Sequence, residues 1–281
     1  VRWVRVADRG ADIEWFLREC LTHQHGFVVR AAQNRCLVDE QHQPLNDKLF
    51  ETVRQAKAIG EFHLGLRARP GQAARTVCLS VSIRRVRLRS TRQPGFSAGT
   101  RAPLACTVVR VWEVNPKNPA QRLEWILLTD GVITSFEEAL AVALQYASRW
   151  LIEEYHKCLK TGLGADDLQL ETAARLFNAI AIMAIVAVRL LALKERVHLD
   201  ANAPASASGL SELELHILST TLQRDLNTVR DVALALGRLG GHINRPSDGL
   251  PGWQSLWAGM RQLLTLLEGV KLAHTLKSFG V

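Results

Sequence analysis

One carboxylate, that of Glu153, lies among cations in the segment from Tyr146 to Gly164. On a helix that turns about 100° per residue, this acid shares a polar arc roughly 100° wide with an aromatic and several basic side chains. The arc contains Tyr146, Arg149, Glu153, His156, Lys157 and Lys160. Such a face suits a site where the carboxylate holds Mg²⁺ or Mn²⁺ and the cations hold phosphates. Ordinary helix ion pairs explain the same spacing, and the segment alone leaves both explanations open.

The other positions of this segment predict a helix docked on a core. Its opposite side is apolar and contains Leu144, Leu151, Ile152, Tyr155, Cys158 and Leu159. Ser135 and Glu138 have capping-box spacing at the start, and Gly162 and Gly164 suit a helix end. We therefore expect one continuous helix that begins after Ser135 and presents Glu153 on its polar side.

A second carboxylate follows a short β-branched run near the start of the chain. Residues 4–7 form this run, Asp8 comes next, and an amphipathic helix and a second strand at residues 26–30 follow. This β-α-β order places Asp8 at the C-terminal end of a strand, where a carboxylate reaches a site. The sequence also allows Asp8 or Asp12 to be a turn or N-cap acid without further function.

The most basic stretch runs from His63 to Trp112, where the sequence has ten arginines and no acid. The arginines are Arg67, Arg69, Arg75, Arg84, Arg85, Arg87, Arg89, Arg92, Arg101 and Arg110. Apolar and polar residues alternate over residues 77–83, as they do in a half-buried strand. The apolar residues stand at odd-numbered positions up to Ile83 and at even-numbered positions from Val86 on. A β-bulge near Arg84 and Arg85 would absorb this slip.

The bulge would leave Arg85, Arg87 and Arg89 on one face, where they grip successive phosphates. A solvated edge strand protected by its charges is the alternative. Further strands at residues 107–114 and 123–129 complete a small antiparallel sheet, inserted over residues 47–122. Trp125 begins the last strand, and it is either a core residue or a base-stacking platform in a basic groove.

The C-terminal half is predicted to be helical. Residues 171–194 form a long helix whose apolar run is too short to cross a bilayer, so we expect it to be buried. Residues 201–210 have the composition of a linker. Residues 211–281 then form amphipathic helices that pack either on their own core or against a second copy.

Composition limits the classes of protein. With 281 residues, 47% of them hydrophobic, the chain has material for a substantial core and is not disordered. A net charge of +8 favours nucleic acid as the partner. The lack of a basic amphipathic anchor argues against a membrane surface as the partner. Five widely spaced cysteines without a Cys-x-x-Cys pair indicate a reducing compartment and argue against zinc and disulfides.

The spacing of Tyr146, Arg149, Glu153 and Lys160 resembles the Y-R-E-K signature of Asp-Asp-Glu transposases in the insertion-sequence-four family, Tn-five type. Residues 8–13 resemble the segment with the second catalytic Asp of this family, although Gly10 stands where the family has an acid. Further similar positions are Phe27, Val28, Val29, Arg30, Trp125 and the segments 237–241 and 252–257.

The resemblance implies an α/β, ribonuclease-H-like mixed sheet, N-terminally truncated and with an inserted antiparallel β subdomain, over residues 1–200. An all-α C-terminal domain over residues 211–281 would form a homodimer. Asp8 and Glu153 would be catalytic ligands of a two-metal Mg²⁺ or Mn²⁺ site that nicks DNA, forms hairpins and joins transposon ends to target DNA. The residues that would contact double-stranded DNA are Arg30, Arg85, Arg87, Arg89, Trp125, Tyr146, Arg149, His156, Lys157 and Lys160.

The first acid of the triad is expected on an earlier strand, upstream of Val1. We therefore expect these 281 residues alone to bind DNA weakly and not to cleave it. A bacterial cytoplasmic location, with association to the nucleoid through DNA, follows from the same resemblance. The alternative function is a non-catalytic DNA-binding or oligomerisation module, either decayed or repurposed.

Binding to duplex DNA is expected to weaken with salt, because arginines that contact phosphates release counterions. Raising KCl from about 50 to about 200 mM should lower the affinity at least tenfold, as measured by fluorescence anisotropy of a labelled duplex. An affinity independent of salt would contradict the predicted polyanion-binding surface.

Overall fold

The computed structural model describes residues 2–66, 75–90, 102–116, 118–119, 122–245 and 248–278. The chain forms two compact units, Val1–Trp150 and Leu151–Val281. The first unit is built on a mixed sheet and the second is helical. The predicted α/β class and the helical C-terminal region are therefore confirmed.

The strands of the first unit belong to one sheet. They are β1 (Val4–Ala7), β2 (Gly26–Arg30), β3 (Cys36–Val38), β4 (Pro44–Lys48), β5 (Gly60–Leu66), β6 (Arg75–Leu88), β7 (Leu104–Glu113) and β8 (Glu124–Thr129). The strand order is β1-β2-β8-β7-β6-β3-β4, and β5 pairs with β6. β1 and β2 are parallel, as the predicted β-α-β unit requires, and the other pairs are antiparallel.

Helices cover both faces of this sheet. They are α1 (Glu14–Thr22), α2 (Leu49–Arg54) and α3 (Phe136–Ala147). Leu17 of α1 and Leu49 of α2 join the apolar core on one face, and Ala139 and Ala143 of α3 join the core on the other. The predicted capping box starts α3, since Ser135 accepts from the Glu138 amide at 3.2 Å. The sheet is thus buried between two helical layers.

β6 is buried on both faces, which explains its change of phase. Leu79 and Val81 belong to the core beneath α3, whereas Val86 and Leu88 belong to the core beneath α1 and α2. The β6–β7 pairing keeps one register from Leu79 to Leu88. The predicted β-bulge is therefore wrong, because the apolar positions change side as the strand passes from one core to the other.

The strands of residues 47–122 are antiparallel, but they continue the sheet of β1, β2 and β8. β7 pairs with β8 over six residue pairs, and β6 pairs with β7. The backbone therefore does not separate an inserted subdomain from the rest of the sheet.

The second unit consists of helices around one core. α4 (Trp150–Lys157) begins at the last residue of the first unit and leads into a π-helical turn, Cys158–Gly162. The other helices are α5 (Ala173–Leu199), α6 (Glu212–Leu222), α7 (Val229–Leu239) and α8 (Trp253–Ser278). Leu190, Leu218, Leu236 and Leu256 are almost fully buried in their common core.

α5 is much less buried than predicted. Only 17% of its most apolar 18-residue stretch is buried, and the side chains of Phe177, Ile182 and Ile185 are at least 65% exposed. Of the described residues, this helix alone is long and apolar enough, by length and composition, to cross a membrane. The expectation of an apolar run too short to cross a bilayer is therefore wrong. The expectation of a buried core helix is also wrong for most of α5, because only a narrow side of it packs.

The segment predicted as a linker lies within the second unit. The amide of Ala205 donates to the Asn227 carbonyl at 3.0 Å, and the amide of Val229 donates to the Ala203 carbonyl at 2.9 Å. Ala205 is 9% exposed. These hydrogen bonds join residues 201–210 to the start of α7. The division between the two compact units falls after Trp150.

α7 and α8 approach closely at two glycines. A Cβ atom on Gly240 would lie 1.9 Å from the Ser255 carbonyl oxygen, and one on Gly259 would lie 1.8 Å from that of Leu236. No side chain fits at such distances, so two glycines allow the two backbones to touch. This contact sets the spacing of α7 and α8.

Gly259→Ala is expected to destabilise the protein by about 2 kcal/mol or more, because the methyl group of the alanine must displace backbone atoms. Gly269→Ala in α8 is the matched control. Nothing lies within 4 Å of a Cβ at Gly269, so this change should stabilise the helix by about 0.5–1 kcal/mol. Urea denaturation measures both, and equal effects would contradict the close backbone contact.

Candidate functional site

Asp8 follows β1 directly and is exposed. Its Oδ1 accepts a hydrogen bond from the Gly10 amide at 2.9 Å and so caps the short 3-10 turn Arg9–Ala11. A cap of this kind uses one carboxylate oxygen and leaves the group accessible to solvent. The turn role and the predicted metal role of Asp8 are therefore compatible.

Asp12 has a structural role. It is 1% exposed, and its Oδ1 lies 2.6 Å from the Arg35 guanidinium. Its Oδ2 accepts from the amides of Ala32 and Gln33 at 2.7 and 2.8 Å. Both oxygens are thus bound inside the first unit. Of the two acids, Asp8 has the predicted turn-capping role, whereas Asp12 has a buried structural role in place of a cap.

The sheet register brings Asp8 into line with Arg30. Ala7 pairs with Val29 in the parallel β1–β2 pair, so Asp8 and Arg30 come next at the same edge of the sheet. Neighbouring strands are about 4.8 Å apart. The Arg30 guanidinium donates to the Glu124 carbonyl at 2.8 Å. An acid and a cation therefore share the C-terminal edge of parallel strands, where α/β proteins bind their ligands.

A cation cluster that the sequence did not single out lies at this edge. The Glu124 carboxylate lies 2.7 Å from the Arg54 guanidinium and 2.8 Å from that of Arg110. Burial opposes ionisation, but hydrogen bonds from Arg54 and Arg110 outweigh it and lower the pKa of Glu124. Arg110 also lies over the Trp112 ring, 4.2 Å from its centroid. Two guanidiniums share one carboxylate, which leaves the edge positive.

The sequence held a partial signal for this cluster. Arg110 and Trp112 alternate along a predicted strand of the basic stretch, which places them on one face. Arg54 lies outside that stretch, in a short helix, and only the folded chain brings it to Glu124.

Arg85, Arg87 and Arg89 lie on a different part of the sheet. They alternate and so share one face, through regular strand geometry rather than through a bulge. β6 is separated from β1 by β2, β8 and β7, which amounts to about 19 Å at about 4.8 Å per strand. β6 also runs antiparallel to β1, so the strand leads away from the edge that holds Asp8 towards Arg89.

Acids from elsewhere in the chain reach the basic stretch. Glu113 pairs with Arg75, whose hydrogen bond lowers the pKa of Glu113, and Glu40 lies 3.2 Å from Arg87. Among the described arginines of the basic stretch, those for which no ion pair is seen are Arg84, Arg85 and Arg89. Arg67, Arg69, Arg92 and Arg101 lie outside the described residues. The cationic surface is therefore smaller than the sequence suggested.

Trp125 and Tyr146 pack against each other. Their ring centroids are 5.1 Å apart with an interplanar angle of 66°, an edge-to-face arrangement. Tyr146 is only 7% exposed, and both rings belong to the core beneath α3. The structure thus gives each ring a packing role, and their DNA contacts stay predictions.

The predicted continuous helix is wrong. α3 and α4 are separated by Ser148 and Arg149. The Ser148 hydroxyl donates to the Gln145 carbonyl at 2.8 Å, a local bond that competes with the helical pattern. One helical wheel therefore does not describe both Tyr146 and Glu153.

α4 presents the predicted polar side chains to solvent. Glu153, His156 and Lys157 are exposed. Lys160, in the π-helical turn, is also exposed, and its Nζ lies 3.7 Å from Asp166. Within the second unit the expected carboxylate is thus accompanied by cations.

The buried side of this segment is shorter than predicted. Leu144 and Ile152, assigned to the apolar side, are 47% and 48% exposed. In the π-helical turn the Leu163 amide donates to the Cys158 carbonyl at 2.8 Å, and the extra residue in this turn rotates the side chains that follow.

Burial raises the pKa of the Cys158 and Cys106 thiols to about 12, so neither is a nucleophile at neutral pH.

Within the described part of the chain, no group of three or more His, Cys, Asp or Glu side chains is arranged for a metal ion. Asp8 belongs to the first unit and Glu153 to the second. Their carboxylate oxygens are the donors that Mg²⁺ and Mn²⁺ prefer.

No model of a known protein family matches the chain. The resemblance to the transposase family therefore depends on the motif residues themselves.

Asp12→Ala is expected to lower the free energy of unfolding by about 3–5 kcal/mol, because it leaves the Arg35 charge buried and unpaired. Asp8→Ala, which removes one exposed cap, should cost less than about 1 kcal/mol. Urea denaturation of both variants measures the difference. A large loss of stability in Asp8→Ala would contradict the assignment of structural and accessible roles to the two acids.

Proposed function

We propose that this chain is part of an Asp-Asp-Glu transposase of the insertion-sequence-four family, Tn-five type, to whose catalytic site it contributes two of the three acids. The reaction is metal-dependent phosphoryl transfer on DNA: strand nicking, hairpin formation and strand transfer. The observation that carries the proposal is the alignment of Asp8 with Arg30 at the C-terminal edge of β1 and β2. An exposed acid beside a guanidinium suits a metal ligand next to a phosphate.

In this proposal Asp8 and Glu153 would hold Mg²⁺ or Mn²⁺, and the bound ion would supply positive charge to activate a water or 3′-hydroxyl and to stabilise the leaving oxygen. Both side chains are exposed, as ligands for a DNA-bound ion must be. Arg30 and the guanidinium cluster around Glu124 bind DNA phosphates near Asp8. His156, Lys157 and Lys160 bind phosphates near Glu153, on the side of α4 that faces solvent.

The arginines of β6 take a separate part in DNA binding. Arg85 and Arg89 are exposed and share one face, about four strands from Asp8. We assign them to DNA that extends beyond the reacting phosphate, where contacts position the duplex without specifying its sequence.

We also assign the sheet to the ribonuclease-H-like class and homodimerisation to α8. A parallel strand pair with an acid at its C-terminal end supports the first assignment. The second is supported by the far half of α8, where Leu266, Val270, Leu272 and Leu276 are 37–60% exposed. Exposed apolar side chains at helical spacing suit a contact between two copies of the chain.

A non-catalytic DNA-binding module is the second candidate. The observation in its favour is the lack of a cluster of three metal ligands within the described residues. Such a module would use the same cationic groups but would not depend on Asp8 or Glu153.

Mn²⁺ binding in the presence of duplex DNA distinguishes the two candidates. Asp8→Asn and Glu153→Gln are each expected to raise the Mn²⁺ dissociation constant at least tenfold, about 1.4 kcal/mol, because each removes a ligand charge. Electron paramagnetic resonance of free Mn²⁺ gives this constant. Glu137→Gln, which neutralises an exposed acid in the first turn of α3, is the control and should change nothing.

The catalytic proposal fails if both variants bind Mn²⁺ as the wild type does. DNA binding that persists in that case would establish the non-catalytic module.

A further inference from the structure

We propose that Trp253 is a positioning residue that fixes the helix carrying Glu153. Trp253 is the first residue of α8 and is 6% exposed. Its indole Nε1 donates to the Glu154 Oε2 at 3.2 Å. Glu154 follows Glu153 directly on α4, so this hydrogen bond ties the backbone of the predicted metal ligand to α8. The inference rests on the proposed function, because it is that function which gives Glu153 its role.

Trp253 is itself held from two further sides. Lys194 of α5 places its Nζ 4.1 Å from the ring centroid, a cation–π contact. A Cβ atom on Gly162 would lie 2.9 Å from the Trp253 Cβ, so the π-helical turn packs its backbone against this residue. The indole therefore joins α4, the turn that follows it, α5 and α8 at one point.

α4 depends on such contacts more than the other helices of the unit do. It has eight residues and none of them is buried. Isolated helices shorter than about 12–15 residues are marginal in water, so tertiary contacts must hold α4 in place. The side chain of Tyr155 packs partly on the core, and the Glu154–Trp253 hydrogen bond adds a polar contact to α8. Loss of that bond makes local opening of the helix that carries Glu153 easier.

This arrangement makes the start of α8 a support for the helix that carries the predicted metal ligand. The first half of α8, from Trp253 to Leu263, lies in the core, and its exposed half continues along the same helix. The helix whose exposed half would contact a second copy of the chain is therefore the same helix that bonds to α4. The helical region does not act only as a separable dimerisation element.

Trp253→Phe removes the indole N–H and keeps an aromatic ring beneath Lys194. Amide hydrogen exchange in residues 151–157 is expected to become about tenfold faster, since local opening of α4 becomes easier. The Mn²⁺ dissociation constant with duplex DNA should rise about fivefold, because Glu153 is held less firmly. Both quantities are measured on the full chain, well below its unfolding temperature.

Two variants serve as controls. Glu154→Gln keeps a side-chain oxygen that accepts the indole N–H, so it should retain wild-type exchange and Mn²⁺ affinity. Trp257→Phe makes the same chemical change one turn further along α8, where the described residues show no hydrogen bond to α4. It should also leave both quantities unchanged.

The proposal is overturned if Trp253→Phe leaves exchange unchanged, or if it speeds exchange while the Mn²⁺ dissociation constant stays the same. If Glu153→Gln leaves Mn²⁺ binding intact, the proposed function fails and the positioning role falls with it. Exchange in Trp253→Phe then still shows whether the indole holds α4.

Discussion

The long pairing of β6 with β7 is the constraint on which the first unit depends. Ten consecutive residue pairs run without a register shift, and both faces of β6 are covered over part of its length. A strand buried on two faces cannot slip by one residue without exchanging its two sets of apolar side chains. The register therefore fixes which residues reach each edge of the sheet. It directs Arg87 and Arg89 away from the edge at which the β1–β2 pairing aligns Asp8 with Arg30.

The second unit depends on close backbone contacts and on one indole. Gly240 and Gly259 let α7 and α8 touch, and this contact aligns the helices around the buried leucines. Trp253 begins α8 and forms a hydrogen bond to α4, a helix with no buried residue of its own. A short exposed helix is thus oriented by a side chain about 100 positions later in the chain. Glu153 is accessible because α4 is exposed, whereas the hydrogen bond from Trp253 to the neighbouring Glu154 holds it in position.

The charges of the first unit divide into two groups with different surroundings. The guanidiniums of Arg54 and Arg110 are held by Glu124, which preorganises them at the edge of Asp8. Arg85 and Arg89 have no ion pair among the described residues and stay exposed on β6. Held cations fix the geometry of a phosphate contact, whereas exposed ones add attraction that salt screens. In the proposed function, this division would let the protein place one phosphate accurately and bind the remaining DNA loosely.

Local patterns were sufficient for several parts of the structure. The β-branched run before Asp8, the following amphipathic helix and the strand at residues 26–30 gave the β-α-β unit, because each depends on neighbouring residues. The capping box of Ser135 and Glu138 marked the start of α3 for the same reason. The exposure of Glu153, His156 and Lys157 also agreed with the polar side of the predicted helix.

Other features required the folded chain. A helical wheel contains no information on the hydroxyl of Ser148, which ends α3 early, or on the π-helical turn that changes the phase after Lys157. The change of phase in β6 has two explanations in the sequence, a bulge or burial on two faces, and only the neighbouring layers decide between them.

By itself, the sequence determined the β-α-β start of the chain, the helical C-terminal region and the excess of cations, since these follow from residue types and short spacings. The tertiary structure decided which cations join Asp8 and how α4 is held. Those contacts link residues far apart in the chain, and local patterns do not specify them.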